Sequence, residues 1–352
     1  MKLATIKNDT RDGALAVVSR DLRHAVIVYD LAPTLQAALD DWAYISPQLE
    51  DRYQELNRQT VSRAFDFDPS QCMAPLPRAY QWLDASAYLP HVELLRKARG
   101  AEMPADARRN PLMYQGNSAW FVGPTHPVQA GSEDWGVDLE AEIAVILDDV
   151  EIATRHDRAG ESIRLIALAN DISLRTLIPA ELGKGFGFVH GKAATAFSPV
   201  AVTPNELGEA WDGKRLLGKL RVLVNDELLG EPDTGTDMQF DFPKLIAHAA
   251  KTRPLGVGTV LGSGTVSNNG HAAGFGCIAE LRAAQTIRNE EPRSWLKFGD
   301  RIRIEMLDGA GNSVFGAINQ TVVQHPVPRR AVDVLRQDQD NGTQPAETPE
   351  QD

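Results

Sequence analysis

The sequence predicts an α+β, β-rich fold in which a small N-terminal module precedes a larger, strand-dominated unit. Three observations predict it. Short apolar runs flanking polar turns fill residues 2–30, and helical spacing follows over 33–60. From about 73 to 325 strand patterns outnumber helical ones. At 352 residues and 43% hydrophobic composition, the chain can bury the core of one large domain plus a small one.

In the N-terminal module, Leu15-Ala16-Val17-Val18 and His24-Ala25-Val26-Ile27-Val28 read as strands around the turn Ser19-Arg20-Asp21. Leu35, Ala38, Leu39, Trp42 and Ala43 keep helical spacing. A turn-rich stretch, Asp68-Pro69-Ser70 to Pro75-Leu76-Pro77, then marks a boundary, giving expected units at 1–72 and 73–328. In the second unit, Leu220–Val224, Asn225-Asp226 and Glu227–Leu229 read as a hairpin, and Asp300–Met306 as an alternating strand. Phe242–Lys251 reads as a helix with Asp241 as N-cap and Pro243 in its first turn. The stretch 337–352 is rich in Gln, Asp, Glu and Pro without apolar pattern, a disordered composition, and the tail 329–352 is expected to be disordered.

Bulk properties exclude several function classes. A net charge of -12 and a pI near 5.2 argue against non-specific nucleic-acid binding and against anionic membrane surfaces. The two cysteines, Cys72 and Cys277, form no CxxC or Cys/His cluster, which argues against structural zinc and a disulfide framework. The first residues open no long apolar segment, so neither a signal peptide nor a membrane helix is expected and a cytoplasmic protein is the default.

The most informative segment is Val137-Asp138-Leu139-Glu140-Ala141-Glu142-Ile143-Ala144-Val145-Ile146-Leu147. On a strand, Val137, Leu139, Ala141, Ile143 and Val145 face a core, while Asp138, Glu140 and Glu142 converge on one patch. Like charges that close repel unless a cation sits between them, and a hard divalent ion with oxygen ligands would relieve them. The alternative is an amphipathic strand with a wet acidic face. The run Ile163–Ala169 reads as a buried strand ending at Asn170-Asp171, although Asp171 and Ser173 also suit a helix N-cap.

Other candidates are weaker one by one. Asp84 and His91 lie seven residues apart, and imidazole is the usual general base near neutral pH. A Gly-rich stretch from Gly183 to Lys192 lacks the GxxxxGK[ST] of a phosphate loop, but can turn Lys184 or Lys192 inward. Gly262-Ser263-Gly264-Thr265 offers N–H groups and hydroxyls suited to an oxyanion. Glu280, in Gly276-Cys277-Ile278-Ala279-Glu280-Leu281, needs a His or Arg partner if buried, or faces solvent on an amphipathic strand.

Taken in order, these segments resemble the fumarylacetoacetate hydrolase family from about residue 73 to 325. The parts that carry the resemblance are the Asp84/His91 segment, the E-x-E strand, the Asn-Asp strand end, the Gly-Lys loop ending at Ser198-Pro199, and Gly-Ser-Gly-Thr followed by Phe275-Gly276 and Glu280. The resemblance implies a β-roll or sandwich with a small N-terminal domain, usually dimeric. It implies Mg²⁺ or Ca²⁺ on Asp84, Glu140, Glu142 and Asp171, with Asp138 a neighbour and not a ligand. It implies a His91–Glu280 catalytic dyad, with Lys192, or alternatively Lys184, as the active-site lysine. Tyr114, Arg175 and Thr265 are the implied substrate contacts.

The implied activity is hydrolysis of a C–C bond in a 1,3-diketo acid, first of all fumarylacetoacetate, in aromatic catabolism. Alternatives are an acylpyruvate hydrolase, a 2-oxo acid decarboxylase or hydratase on the same metal site, and a non-catalytic protein that binds a small acid. The chain departs from the family's fumarylacetoacetate hydrolases at Ser86, where they carry tyrosine, and at Thr176-Leu177-Ile178-Pro179, where they carry a glutamine. The loop 180–192 also looks longer than theirs. The metal and dyad therefore transfer better than the substrate.

Overall fold

The computed structural model describes residues 1–325, so the tail expected to be disordered, 329–352, lies outside the described residues. The N-terminal strands are β1 (Lys2–Ile6), β2 (Ala14–Val18), β3 (His24–Ile27) and β4 (Phe65–Asp66). Next come β5 (Trp82–Ala85), β6 (Met113–Gln115), β7 (Val128–Ala130), β8 (Val137–Asp138), β9 (Ala141–Leu147) and β10 (Ile163–Asn170). After these follow β11 (Ser173–Leu174), β12 (Ala196–Phe197), β13 (Ala201–Val202), β14 (Leu220–Val224) and β15 (Glu227–Gly230). The last three are β16 (Val260–Gly262), β17 (Arg301–Met306) and β18 (Ile318–Gln324).

One large sheet runs β4-β3-β2-β1-β13-β10-β9-β16-β5-β6, with β12 pairing on β10. The N-terminal strands are thus sewn edge to edge onto the second unit, through Lys2↔Val202 and Leu3↔Ala201. A second sheet orders β15-β14-β17-β18-β7, and β8 pairs with β11. The predicted hairpin forms as β14 and β15, with positive φ at Asn225 (54°) and Asp226 (66°), the backbone that a two-residue primed turn requires.

Two apolar layers cover the large sheet. Ala144 and Ile146 of β9 belong to the layer under α1 (Leu35–Asp40) and α2 (Trp42–Asn57), which brings in Leu35, Leu39, Leu49 and Tyr53. Val137, Leu139, Ala141, Ile143, Val145 and Leu147 belong to the other layer, shared with Val222, Ile302, Ile304 and Val322 of the second sheet. The predicted alternation therefore holds on its apolar side. Among the described residues no helix is long and apolar enough to cross a membrane.

Several local expectations change. Residues 137–147 are not one strand: the ladder breaks at Leu139-Glu140, because the Asn170 side chain takes the Glu140 N–H (3.1 Å) and β8 turns to pair with β11. The helical stretch 33–60 splits at Asp41, with Thr34 capping the first piece by accepting from Ala37 N–H. No helix starts at Asp171, where β11 follows instead. Glu280 lies in the first turn of a helix, not on a strand. The remaining helices are α3 (Leu89–Ala98), α4 (His156–Ala159), α5 (Ile178–Lys184), α6 (Pro204–Leu207), α7 (Phe242–Ala249) and α8 (Ile278–Ile287). The α7 helix is capped by Asp241, as the sequence predicts.

Candidate active site and metal centre

Sheet register converges the carboxylates. Glu142 on β9 pairs with Ala169 on β10, one residue short of the strand end that releases Asp171. Asp84 on β5 pairs with Gly262 on β16, which pairs in turn with Ala144 of β9. One carboxylate oxygen from each of Asp84, Glu140, Glu142 and Asp171 lies within 4.8 Å of the others. The acidic face is not wet: Asp84 and Glu140 are 5% exposed, Asp171 1% and Glu142 0%.

Gly262 makes this convergence possible. A Cβ there would meet Asp84 Oδ1 at 2.5 Å, Glu142 Oε2 at 3.1 Å and the Trp82 ring at 2.4 Å. The Gly262→Ala variant is expected to stay folded but to lose about 1–3 kcal/mol of stability. It should also weaken divalent-cation binding, measured by calorimetry against the parent protein. Unchanged affinity would mean that the two carboxylates do not act together.

Two cations answer the negative charge. Lys192 Nζ lies 2.5 Å from Glu140 Oε2 and 2.6 Å from Asp171 Oδ2. It is placed by the backbone bridge between Ser173 and Lys192. Lys184 instead ends α5 on the exposed side of the same loop, so of the two lysines weighed from the sequence only Lys192 reaches the cluster. Arg175 turns Nε to Asp138 (2.9 Å) and Nη2 to Glu140 (2.7 Å). Asp138 also accepts from the N–H groups of Ile278 (2.8 Å) and Ala279 (3.0 Å), so it fastens the start of α8 and stands outside the carboxylate cluster.

These contacts sort the carboxylates. Burial, then Asp171, pushes Asp84 well above the usual carboxylate range, and burial, then Asp84, does the same to Glu142. Burial also acts against the Glu140 carboxylate, but Lys192 and Arg175 more than offset it and hold Glu140 at about 2. Both oxygens of Glu142 are buried without a hydrogen-bond partner. An all-oxygen donor set with an unpartnered carboxylate in its midst fits a hard divalent cation.

Beside this cluster, His91 Nδ1 lies 3.1 Å from Glu280 Oε1. His91 sits in the first turn of α3 and Glu280 in that of α8, and the two helices pack together. The other Glu280 oxygen accepts from Gly276 N–H at 3.0 Å, so the fully buried carboxylate holds a fixed direction. Tyr114, on β6 opposite Asp84, donates to Asp171 Oδ2 at 2.5 Å, and its ring meets Phe188 edge-on at 5.0 Å. Thr265 follows Gly264 at the end of β16; its hydroxyl is buried and without a partner.

The structure adds supports that the sequence did not signal. Thr195 donates to Asp171 Oδ1 at 2.7 Å, and Gly264 N–H donates to Asp84 Oδ1 at 3.1 Å. Asn170 is tied to Gln320 at 2.9 Å. Only the Asn-Asp pair at the strand end hinted at any of these. An arm, 185–191, links α5 to Lys192, with Phe188 against the Tyr114 ring. The Glu181 carboxylate accepts the N–H groups of Val189, His190 and Gly191, each at 2.8 Å, while Phe186 is 98% exposed.

Comparison with known proteins places the chain. The sequence model described as fumarylacetoacetate (FAA) hydrolase C-terminal matches residues 81–323, and fumarylacetoacetase N-terminal domain 2 matches residues 1–78. A curated relative, the mitochondrial oxaloacetate tautomerase of Xenopus laevis, is 27% identical over 218 residues. That match spans 61% of this chain and only 59% of the relative. In fold the chain resembles the fumarylacetoacetate hydrolase of the psychrophile Exiguobacterium antarcticum, at 19% identity and TM-score 0.63, covering 92% of this chain and 100% of that one. It also resembles the maleylpyruvate hydrolase of Sphingobium sp. SYK-6 in complex with manganese(II) ion and pyruvate, at 19% identity and TM-score 0.60, covering 93% and 100%. With both family models in chain order and the larger one spanning the carboxylate cluster and the His–Glu pair, the chain belongs to the fumarylacetoacetate hydrolase family of enzymes.

Proposed function

We propose that this protein is a divalent-metal-dependent hydrolase that cleaves a C–C bond in a small 1,3-diketo acid, with fumarylacetoacetate as the first candidate substrate. The observation that carries this reading is the His91–Glu280 pair, 3.1 Å apart, beside a buried cluster of four carboxylates. Asp84, Glu140, Glu142 and Asp171 would hold Mg²⁺ or Ca²⁺; the manganese(II) in the Sphingobium enzyme supports a divalent ion at such a site. The bound ion would supply Lewis-acid polarisation of the substrate's carbonyl oxygens.

The chain's own residues do the rest. Glu280 orients the imidazole, and His91 takes the proton from the water that attacks the carbonyl and returns it to the carbon that departs when the C–C bond breaks. Lys192 presents its ammonium to the developing oxyanion, a contribution worth about 3–4 kcal/mol per donor. Tyr114, Thr265 and Arg175 would contact the substrate, and Arg175 also pairs with Glu140 at 2.7 Å. By likeness to the family we further propose a homodimer, with the boundary between the two units of each chain at residues 72 and 73.

The test is loss of fumarylacetoacetate, followed by ultraviolet absorbance with Mg²⁺ and again with EDTA. Metal-dependent release of fumarate and acetoacetate is expected. No substrate loss by protein that binds Mg²⁺ overturns that substrate and turns the assay to acylpyruvates and oxaloacetate. A second reading is favoured by the Xenopus relative, whose name is oxaloacetate tautomerase. Here the same proton-transfer groups interconvert keto and enol forms of an oxo acid, and the product keeps its carbon skeleton.

A further inference from the structure

Cys277 has no part in the chemistry above. It is fully buried at the N-cap of α8, beside His91 and Glu280. One donor atom from each of His91, Cys277 and Glu280 lies within 4.8 Å of the other two. Nδ1 of His91 and Oε1 of Glu280 are 3.1 Å apart. Two donors on one tetrahedral zinc ion, each about 2.0 Å from it, would be separated by about 3.3 Å. The Glu280 carboxylate is held in place by Gly276 N–H, so it is already aimed.

This donor set differs in kind from the carboxylate cluster. Nitrogen, sulfur and oxygen together suit a borderline or soft ion, whereas four carboxylates suit a hard one. Burial raises the free thiol well above its ordinary value, which keeps it protonated and unreactive toward oxidants until an ion displaces its proton. Entry is past His91, whose side chain is 13% exposed while that of Glu280 is 0% exposed.

We propose that His91, Cys277 and Glu280 form a second metal site, selective for Zn²⁺ or another thiophilic divalent ion, and that filling it switches the enzyme off. The ion takes Cys277 Sγ, one oxygen of Glu280 and Nδ1 of His91, with water in the fourth position. The thiol proton leaves to solvent, the imidazole proton resides on Nε2, and nothing is oxidised or reduced. With Nδ1 on the ion and Glu280 diverted, His91 no longer serves as general base. The binding half of the proposal stands apart from the substrate; the inhibitory half rests on the proposed role of His91.

The test uses the full chain saturated with Mg²⁺ and titrated with Cd²⁺, which reports a cysteinate ligand by an ultraviolet charge-transfer band. A saturable band is expected, at least about 100-fold weaker in affinity for Cys277→Ser and unchanged for Cys72→Ser. Cys277→Ser is expected to keep its Mg²⁺-supported turnover and to need at least about 100-fold more Zn²⁺ for inhibition. Should Cys277→Ser fail to fold, His91→Ala keeps the thiol and is expected to weaken the same band. No band in the parent protein, or an equal band in Cys277→Ser, overturns the site. A Cd²⁺ band without Zn²⁺ inhibition upholds the site and overturns the switch.

Discussion

Replacing His91 by alanine is expected to lower turnover by about 10²–10⁴-fold, the range that a positioned general base contributes. The affinity for Mg²⁺ should stay as it is. The expectation follows from how the pair is built. Glu280 is fully buried, one of its oxygens is held by Gly276, and the other meets Nδ1 at 3.1 Å. The imidazole is thus fixed in tautomer and direction, and it touches none of the four clustered carboxylates through any hydrogen bond. The loss should fall on kcat, with KM nearly unchanged, because the ring takes part only once a proton moves. The variant leaves a buried carboxylate with one donor fewer, so a stability loss of about 1–3 kcal/mol is also expected. Turnover retained within a few fold would sink the dyad.

Removing the metal is expected to abolish turnover and to make stability fall as pH rises. Burial and mutual repulsion raise Asp84 and Glu142 above their ordinary values of 3.8 and 4.5. A carboxyl whose folded value is raised contributes stability that is complete below its unfolded value and is lost as pH climbs through the folded one. Chelated protein should therefore melt at progressively lower temperature between about pH 5 and 8. Glu140 adds no slope there: held at about 2, it costs stability only as pH falls through that value. Lys192 is raised above 10.5 and likewise keeps its charge across the window. Saturating Mg²⁺ takes the place of the protons and should flatten the profile. At 100 times its dissociation constant it adds about 2.7 kcal/mol. Differential scanning calorimetry across this range, with Mg²⁺ and with EDTA, decides the matter; coincident profiles would mean that no ion enters the cluster.

How much of this was legible in the sequence depends on whether the signal is local. The apolar alternation of 141–147, the β14–β15 turn and the Asp241 cap are written in neighbouring residues and could be read directly. The break at Leu139-Glu140 could not, since it is made by Asn170, thirty positions away. Glu280 could be read as a buried carboxylate seeking a partner such as His91, but not as a helix residue, because three apolar neighbours mask the first turn. Its helix is fastened instead by Asp138, about 140 positions earlier. The carboxylates themselves were visible as charges in apolar runs, but their meeting needed the register of four strands and a side-chain-free position at Gly262. The supports from Thr195 and Gly264 carry no local mark, because a threonine or glycine in a loop is ordinary until a carboxylate faces it.

The arm beside Tyr114 divides two kinds of evolutionary freedom. The clustered carboxylates and the His–Glu pair are mounted on or next to β5, β9, β10 and two packed helices, where many neighbouring side chains also belong to a core. Drift there is penalised twice, in folding and in chemistry. The end of α5 and the arm after it carry Leu182, Phe186 and Val189 largely in solvent, and the arm's shape is kept by backbone N–H groups on the Glu181 carboxylate, whatever the side chains between. Its residues can be exchanged with little effect on the sheet, although Phe188 among them meets the Tyr114 ring. A lineage, or a mutant library confined to this arm, can vary the surface beside Tyr114 while inheriting the carboxylate cluster and the His91–Glu280 pair intact.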